Sequence, residues 1–381
     1  MKKKVLFAIG TRPEAIKVAP VVQRCRRSAA LECSVLCTGQ HHELADQAFA
    51  MFDLVPDRNL RVMKRDQNLS LLTSRMMAGI TEYARHYRPD MVVVQGDTTT
   101  ALAAAQVAFF NHIPLAHIEA GLRTGDRRAP FPEEINRVFI SKMADLHFAP
   151  TSIARDNLVR EGVEPADIHV TGNTVVDALN MMLPRALSQP PRIADLPPEV
   201  MREGSSIVLV TGHRRESIGE GLVHICQAIK ALALAHPSVA FVYPVHLNPR
   251  IHDTVYQELD EIPNIHLIQP LDYRGLLFMI SRSRLVITDS GGIQEEAPSF
   301  GRKVLVTRHC TERPEGVAAG MAVLVGHETG RIVEEATRCL RNGAGPGGCS
   351  TPNPYGDGNA SERIVGLLES YPCPVAPMEG R

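Results

Sequence analysis

The sequence lacks the features of a membrane protein and of a protein that binds polyanions. No stretch approaches the roughly 20 apolar residues that a membrane-spanning helix needs. Lysine and arginine total 41 against 42 acidic residues, so the net charge of −1 favours neither nucleic acid nor an anionic membrane as a partner. The basic start leads into an apolar run that is too short for a signal peptide, and it therefore predicts a first β-strand.

Several enzyme motifs are also missing. The eight cysteines form no CxxC pair and no metal-type spacing with histidines, so no metal site is predicted. Cys33 and Cys37 are interpreted as reduced core residues of a cytosolic protein. No Walker A, GxSxG or HExxH sequence occurs, which disfavours kinases, triad hydrolases and zinc enzymes, and no GxGxxG dinucleotide motif follows a strand.

Strand-like runs alternate with helical periodicities along the chain, which predicts parallel sheets with helices on both faces. The first set of predicted strands is Val5–Ile9, Cys33–Cys37, Met91–Val94, Leu115–Ile118, Leu146–Ala149 and Ile168–Thr171. A proline-rich stretch, Leu183–Pro198, interrupts the pattern and is interpreted as the region between two domains. The second set is Ile207–Val210, Val239–Tyr243, His266–Ile268, Leu285–Thr288, Val304–Thr307 and Ala322–Val325.

These patterns predict two doubly wound domains that face a cleft at the carboxyl edges of their sheets. Their expected bounds are 1–171 and 172–360, and a last helix within 361–381 is expected to pack back on the first domain.

A glycine turn, Asp289–Gly292, follows the strand Leu285–Thr288 and opens a helix. Such a helix N-terminus favours a phosphate, and its glycines allow close approach. Glu296 follows one turn later, where its carboxylate suits the hydroxyls of a ribose. Plain turn chemistry is the alternative for this segment alone.

Reactive side chains follow other predicted strands. Arg12 and Lys17 lie at a helix start and suit an anionic ligand, although a solvated helix start would look similar. Asp97 fits both an N-cap and an acid/base role. Glu119 ends an apolar strand, where desolvation would raise its pKa and suit it to proton transfer. Glu133 and Glu134 open a helix, and Glu134 is interpreted as a surface acid that complements the helix dipole.

In the second half, His213 lies beside Arg214 and Arg215, which suggests phosphate chemistry. His246 is open to two readings, a structural histidine or a ligand contact. The three strand-end acids together with the cationic, glycine-rich segment predict acid/base work on a phosphorylated ligand.

At ten segments the chain closely resembles the bacterial non-hydrolysing UDP-N-acetylglucosamine 2-epimerases. The segments are GTRPEAIK (10–17), GDTTT (96–100), IEAGLRTG (118–125), PFPEEINR (130–137), TGNTVVDAL (171–179), TGHRRES (211–217), YPVHLNP (243–249), TDSGGIQEEAPS (288–299), TERPEG (311–316) and NPYGDG (353–358). The resemblance implies a GT-B-like fold, a cytosolic homodimer without cofactor or metal, and the interconversion of UDP-N-acetylglucosamine and UDP-N-acetylmannosamine. It further implies that UDP is eliminated to give 2-acetamidoglucal and is then added back with C2 inverted. The product, UDP-N-acetylmannosamine, would be used in bacterial polysaccharide or glycoconjugate synthesis.

The resemblance also implies roles for individual residues. The implied acid/base and leaving-group residues are Asp97, Glu119, Glu133 and His213. The implied substrate-binding residues are Arg12, Lys17, Leu271, Leu276, Ser290, Gly291, Gly292, Glu296 and Arg313. Many members bind a second, activating UDP-N-acetylglucosamine, and the implied allosteric residues are Gln40, Glu43, Arg65, Glu134, Arg214 and His246.

The chain departs from the family pattern at a few positions. His309 and Cys310 replace the usual Asp-Thr pair ahead of Arg313, and Leu276 replaces a phenylalanine near the uracil. Leu44 replaces a methionine of the activating site.

Three alternatives compete with this interpretation. A hydrolysing relative would release UDP and free N-acetylmannosamine, but intact TERPEG and QEEAPS segments favour the non-hydrolysing type. An epimerase of diacetamido sugars is disfavoured because such relatives commonly read GARPQ and QKEA. A catalytically silent UDP-sugar sensor would have no need for three strand-end carboxylates.

Overall fold

The computed structural model describes residues 2–39, 42–63, 68–212, 218–341 and 352–372, with residues 42–46 described by their backbone alone. The chain divides into two compact units, Met1–Ala178 with Tyr355–Arg381 and Leu179–Pro354. Within the described ranges, no helix is long and apolar enough to cross a membrane.

The first unit is built on a seven-stranded parallel sheet, and strands and helices alternate along its chain. The strands are β1 (Lys3–Ile9), β2 (Leu31–Cys37), β3 (Arg58–Asn59), β4 (Met91–Gln95), β5 (Leu115–Ile118), β6 (Leu146–Ala149) and β7 (Ile168–Val170), in the spatial order β3-β2-β1-β4-β5-β6-β7. The helices are α1 (Arg12–Arg27), α2 (His42–Met51), α3 (Leu69–Tyr87), α4 (Thr99–Phe110), α5 (Glu133–Met143), α6 (Ser152–Arg160) and α7 (Thr174–Ser188), of which α7 runs into the second unit.

The second unit is built on a six-stranded parallel sheet. Its strands are β8 (Ser206–Thr211), β9 (Val239–Pro244), β10 (Ile265–Ile268), β11 (Leu285–Thr288), β12 (Lys303–Val306) and β13 (Ala322–Leu324), in the order β10-β9-β8-β11-β12-β13. Its helices are α8 (Glu220–Ala235), α9 (Pro249–Leu259), α10 (Tyr273–Arg282), α11 (Gly291–Glu296), α12 (Pro314–Ala318) and α13 (Thr329–Arg341).

The last helix, α14 (Ala360–Ser370), packs on α1 in the first unit. Lys3 at the start of β1 donates hydrogen bonds to the backbone oxygens of Leu368 at 2.7 Å and Tyr371 at 2.5 Å. These bonds satisfy carbonyl groups that the end of a helix leaves without intrahelical partners.

The central strands are buried on both faces because helices cover both sides of each sheet. Residues 5 to 9 of β1 are all at most 1% exposed, which explains why that strand is a continuous apolar run rather than an alternating one. The fold class predicted from the alternating pattern is confirmed: both sheets are parallel α/β sheets, in a GT-B-like architecture.

In both sheets the strand order reverses at the first strand of the unit. In the first sheet β2 and β3 lie on one side of β1 and the other four strands on the opposite side, and the second sheet is divided in the same way at β8. The loops after β1 and β4 therefore diverge at one carboxyl edge, and the loops after β8 and β11 diverge at the other. Open α/β sheets bind their ligands at such positions.

Candidate active site

Asp97 follows β4 in a turn that buried neighbours hold in place. Its carboxylate forms an ion pair with the buried Arg137 of α5. Asn136 donates a hydrogen bond to the backbone oxygen of Asp97 at 2.8 Å, and His117 of β5 contacts the backbone oxygen of Gly96 through Nε2 at 2.7 Å. The side chain of Asp97 is 26% exposed, so it is fixed from within the protein and still accessible to a ligand.

Glu119 lies just past β5 with a left-handed backbone at φ +66°. That conformation is uncommon for a residue other than glycine. The Glu119 carboxylate accepts hydrogen bonds from Lys17 at 2.5 Å, from Asn173 at 3.3 Å and from Gln95. A Cβ atom on Gly96 would lie 3.7 Å from this carboxylate, so Glu119 adjoins the turn that carries Asp97.

Glu133 and Glu134 begin α5 but lie in different environments. Glu133 is half-buried, whereas Glu134 is 3% exposed. Glu134 accepts hydrogen bonds from the backbone N–H groups of Thr124 and Gly125, both at 3.0 Å, and pairs with Arg137 at 3.1 Å. The interpretation of Glu134 as a surface acid is therefore wrong, because its carboxylate closes the loop that precedes α5.

Two buried histidines of neighbouring strands are neutral near pH 7. Burial lowers the pKa of His117 to about 3 and the pKa of His147 to about 4. Because the Gly96 carbonyl can only accept, Nε2 of His117 carries the proton in the bond between them. His117 thus fixes the turn ahead of Asp97 through a neutral hydrogen bond.

The glycine turn of the second unit forms the start of α11, with Ser290 as the N-cap and Gly291 and Gly292 as its first residues. The guanidinium of Arg313 lies directly against Gly291, since a Cβ atom there would be 2.5 Å from Nη1 of Arg313. Glu295 of the same helix accepts a hydrogen bond from Nε of Arg313 at 2.7 Å. The predicted phosphate loop and the predicted arginine are therefore brought together.

A chain of buried charges extends from Arg313. Its Nη1 also pairs with Glu312, whose other carboxylate oxygen lies 2.9 Å from Nη1 of Arg308. Opposite charges alternate along this chain, so each buried charge has a partner. His309 and Cys310, where the chain departs from the pattern of the resembling family, leave this pairing of Arg313 intact.

The other predicted residues of the second unit lie around α11. Glu296 is 4% exposed at the end of that helix. Leu271 and Leu276 are half-buried and pack against the apolar core that contains Ile293 of α11. Both leucines therefore lie beside the apolar core on which α11 packs.

A model of one protein family matches residues 23–369, and its description is UDP-N-acetylglucosamine 2-epimerase. The chain belongs to the UDP-N-acetylglucosamine 2-epimerase family. It is 48% identical to the probable UDP-N-acetylglucosamine 2-epimerase of Ralstonia solanacearum, over 97% of this chain and 99% of the relative. It is 45% identical to the enzyme of that name from Salmonella typhimurium, again over 97% and 99% of the two chains.

A solved structure of a family member is closely similar. The UDP-GlcNAc 2-epimerase of Neisseria meningitidis, crystallised with UDP-GlcNAc, superposes with a TM-score of 0.88 and 41% identity. The match covers 96% of this chain and 99% of that one. Family membership and the two-sheet fold thus rest on nearly the full length of the epimerase.

Some residues predicted for the epimerase site lie outside the described residues. They are Gln40, Arg65, His213 and Arg214, and the side chain of Glu43. His246 is described, and it is exposed just past β9, where its Nδ1 accepts a hydrogen bond from the backbone of Asn248 at 3.0 Å. Within the described ranges, no group of three or more His, Cys, Asp or Glu residues is arranged to hold a metal ion.

Two residues of the candidate site were not predicted from the sequence. Glu14 is 1% exposed, and burial raises its pKa to about 7 although four hydrogen bonds oppose that change. Arg137 pairs with both Asp97 and Glu134. The only sequence signal for either was its place in a segment shared with the epimerase family, 10–17 for Glu14 and 130–137 for Arg137.

Proposed function

We propose that this chain is a non-hydrolysing UDP-N-acetylglucosamine 2-epimerase that interconverts UDP-N-acetylglucosamine and UDP-N-acetylmannosamine. The observation that carries the proposal is the Lys17–Glu119 pair beside the turn of Asp97, at the point where the strand order of the first sheet reverses. The family match supplies the substrate class.

The proposed reaction removes the C2 proton and expels UDP from C1, which gives 2-acetamidoglucal, and then adds UDP back with C2 inverted. A C2 proton is weakly acidic, and its removal and return occur on opposite faces of the sugar. More than one positioned acid/base group is therefore needed, and Asp97, Glu119 and Glu133 are assigned to that work. His213 is assigned to assist the departure of the diphosphate.

The diphosphate is assigned to the start of α11 and to Arg313. Backbone N–H groups at a helix start and a fixed guanidinium both stabilise the negative charge that develops on the leaving group. The ribose is assigned to Glu296 and the uracil to the side of Leu271 and Leu276. Arg12 and Lys17 are assigned to substrate binding as cations. With these assignments, residues 1–171 carry out the acid/base chemistry and residues 172–360 bind the UDP.

A cytoplasmic homodimer is the proposed form of the enzyme. Six cysteines of the described ranges are free thiols, in keeping with a reducing compartment. Phe109 and Phe110 at the end of α4 are 55% and 64% exposed, and Phe139 on the neighbouring α5 is 52% exposed. Large apolar side chains of this kind suit a surface that a second copy covers. Activation by a second UDP-N-acetylglucosamine, and supply of a polysaccharide or glycoconjugate pathway, stay predictions.

The test incubates the purified protein with UDP-N-acetylglucosamine in D2O and follows the sugar by proton NMR. Formation of UDP-N-acetylmannosamine with deuterium at C2 is the expected result. Free N-acetylmannosamine with UDP would assign the chain to the hydrolysing class instead. Binding without turnover would favour a sensor, and the Asp97→Asn and Glu119→Gln variants provide the matched case of an enzyme that binds but cannot transfer the proton.

A further inference from the structure

Glu14 is a buried carboxylate to which the reaction above gives no role, and it joins two loops of the first unit. Its Oε2 accepts hydrogen bonds from the backbone N–H groups of Gly10 at 3.1 Å and Thr11 at 2.8 Å, and from the Thr11 hydroxyl at 2.8 Å. All three bonds are local, and the bond from the Thr11 N–H belongs to the capping box of α1. The second oxygen, Oε1, accepts a bond of 2.7 Å from the hydroxyl of Thr98, 84 residues away.

Thr98 lies between Asp97 and the first residue of α4, and its hydroxyl both accepts and donates a hydrogen bond. As the N-cap of α4 it accepts a hydrogen bond from the backbone N–H of Ala101 at 3.0 Å. Its only hydroxyl proton is donated to Glu14. Removal of the Glu14 carboxylate would leave that proton without its acceptor and would free the residue next to Asp97.

The bond between Glu14 and Thr98 crosses the point where the strand order reverses, from the loop after β1 to the loop after β4. The first loop leads into the helix of Arg12 and Lys17, and the second carries Asp97. The register of β1 and β4 pairs Val5–Phe7 with Met91–Val93, and the bond between Glu14 and Thr98 links the two segments beyond these paired residues. Glu14 is too deeply buried, at 1% exposure, to touch a substrate itself.

We infer that Glu14 is a positioning residue for Asp97, which it holds through the hydroxyl of Thr98. This inference rests on the proposed function, because it assigns Asp97 to proton transfer. The alternative is a purely structural role, in which Glu14 only caps α1 and Thr98 only caps α4. In that case their loss would lower stability and leave the rate of the active enzyme unchanged.

The first experiment compares Thr98→Val with Thr151→Val. Thr151 is the N-cap of α6 and accepts a hydrogen bond from Ala154 at 3.2 Å, so its loss costs a helix cap of the same kind in the same unit. The two variants are expected to lose similar thermal stability. Only Thr98→Val is expected to lower kcat, by about 10- to 100-fold with KM changed by less than about threefold, because misplaced reacting groups slow the chemical step. Thr98→Ser keeps the hydroxyl and is expected to restore the rate.

The second experiment introduces Glu14→Gln into the unmodified protein and into the Thr98→Val variant. Glu14→Gln alone is expected to lower kcat, and an unchanged kcat in that variant would overturn the inference. If Glu14 acts through Thr98, the kcat of the double variant Glu14→Gln with Thr98→Val equals that of Thr98→Val alone. Three further results would each overturn the inference. They are a double variant whose loss of kcat is the product of the two single losses, an unchanged kcat in Thr98→Val, and a loss of kcat in Thr151→Val equal to that in Thr98→Val. Failure of the unmodified protein to form UDP-N-acetylmannosamine would instead count against the proposed function, so the two failures are distinct.

Discussion

At the scale of single residues, the proposed anion site of the second unit depends on Gly291, which has no side chain. Gly291 leaves room for the guanidinium of Arg313, whose Nε pairs with Glu295 and whose Nη1 pairs with Glu312. The arginine is thus pressed against the first turn of α11 rather than free to swing. A preorganised cation of this kind stabilises a leaving diphosphate without reorganisation during the reaction.

Gly291→Ala is expected to weaken UDP binding. Alanine favours a helix over glycine by about 1 kcal/mol, but its Cβ would displace the guanidinium of Arg313. Loss of one charge-assisted contact of about 1.5–3 kcal/mol raises the Kd of UDP about 10- to 100-fold. Calorimetric titration with UDP measures the change.

Gly330→Ala is the matched control for this exchange. Gly330 lies in the first turn of α13 in the same unit, and a Cβ atom there would meet nothing within 4 Å. The control is expected to gain stability and to bind UDP normally. If Gly291→Ala also bound UDP normally, Arg313 would not need its observed position, and the assigned diphosphate site would be wrong.

The sequence reveals single residues of the site when they follow an apolar strand, as Asp97 and Glu119 do. It does not reveal their partners, because those lie far away along the chain. Glu14 reads as an ordinary acid of a first helical turn, and its bond to Thr98 exists only once β1 and β4 pair in the sheet. Glu134 reads as a surface acid because its backbone partners, Thr124 and Gly125, lie in the loop before α5 and not in the helical pattern.

At the scale of elements, the adjoining strands β5 and β6 carry two buried histidines that make the stability of the fold sensitive to acid. His117 and His147 are register partners in the parallel sheet, and both are at most 1% exposed. Burial lowers the pKa of each below its value of 6.5 in the unfolded chain, to about 3 and about 4. The unfolded chain therefore binds protons first as the pH falls. Their contribution to stability is complete above pH 6.5 and is lost progressively toward pH 3.

His117→Gln is expected to make the stability less sensitive to acid. Between pH 7.5 and pH 5 each neutral histidine costs about 2 kcal/mol of unfolding free energy, and the glutamine removes one of these two losses. Urea unfolding at both pH values measures the slope. His86→Gln, at an exposed position of α3, is the control and should leave the slope as it is. An unchanged slope in His117→Gln would contradict the assignment of a neutral, buried imidazole.

Glu14 acts on this pH dependence with the opposite sign. Its pKa is raised from 4.5 to about 7 in the folded protein, so it contributes stability below pH 4.5 that is lost as the pH rises through 7. The two histidines and Glu14 therefore partly cancel between pH 5 and pH 7. For this reason the comparison of variants is more informative than the profile of the unmodified protein.

The elements themselves were largely predictable. β5 and β6 have the predicted bounds, and β1, β2 and β4 differ from prediction by one or two residues at one end. Buried strands of a parallel sheet are continuous apolar runs, which makes them visible in the sequence. β3 has only two residues, too few to show a periodicity, and α7 continues through Pro184, where the prolines suggested that the regular pattern had ended.

At the scale of the whole molecule, the exposed apolar surface at the end of α4 is the proposed interface of the dimer. Phe109 and Phe110 lie with their ring centroids 6.3 Å apart, and both are more than half exposed. Burial of a phenylalanine side chain contributes about 1.5–3 kcal/mol, and a symmetric dimer buries each ring twice. We therefore propose that these two rings belong to the surface that joins two copies.

The double variant Phe109→Ser with Phe110→Ser is expected to be a monomer at concentrations where the unmodified protein is a dimer. Light scattering after size exclusion should give a molar mass near the 41.7 kDa of one chain for the variant, and twice that mass for the unmodified protein. Leu234→Ser, at a 66% exposed position of α8 in the second unit, is the control and should stay dimeric. A dimeric double variant would move the interface away from α4, and a monomeric unmodified protein would reject the proposed homodimer.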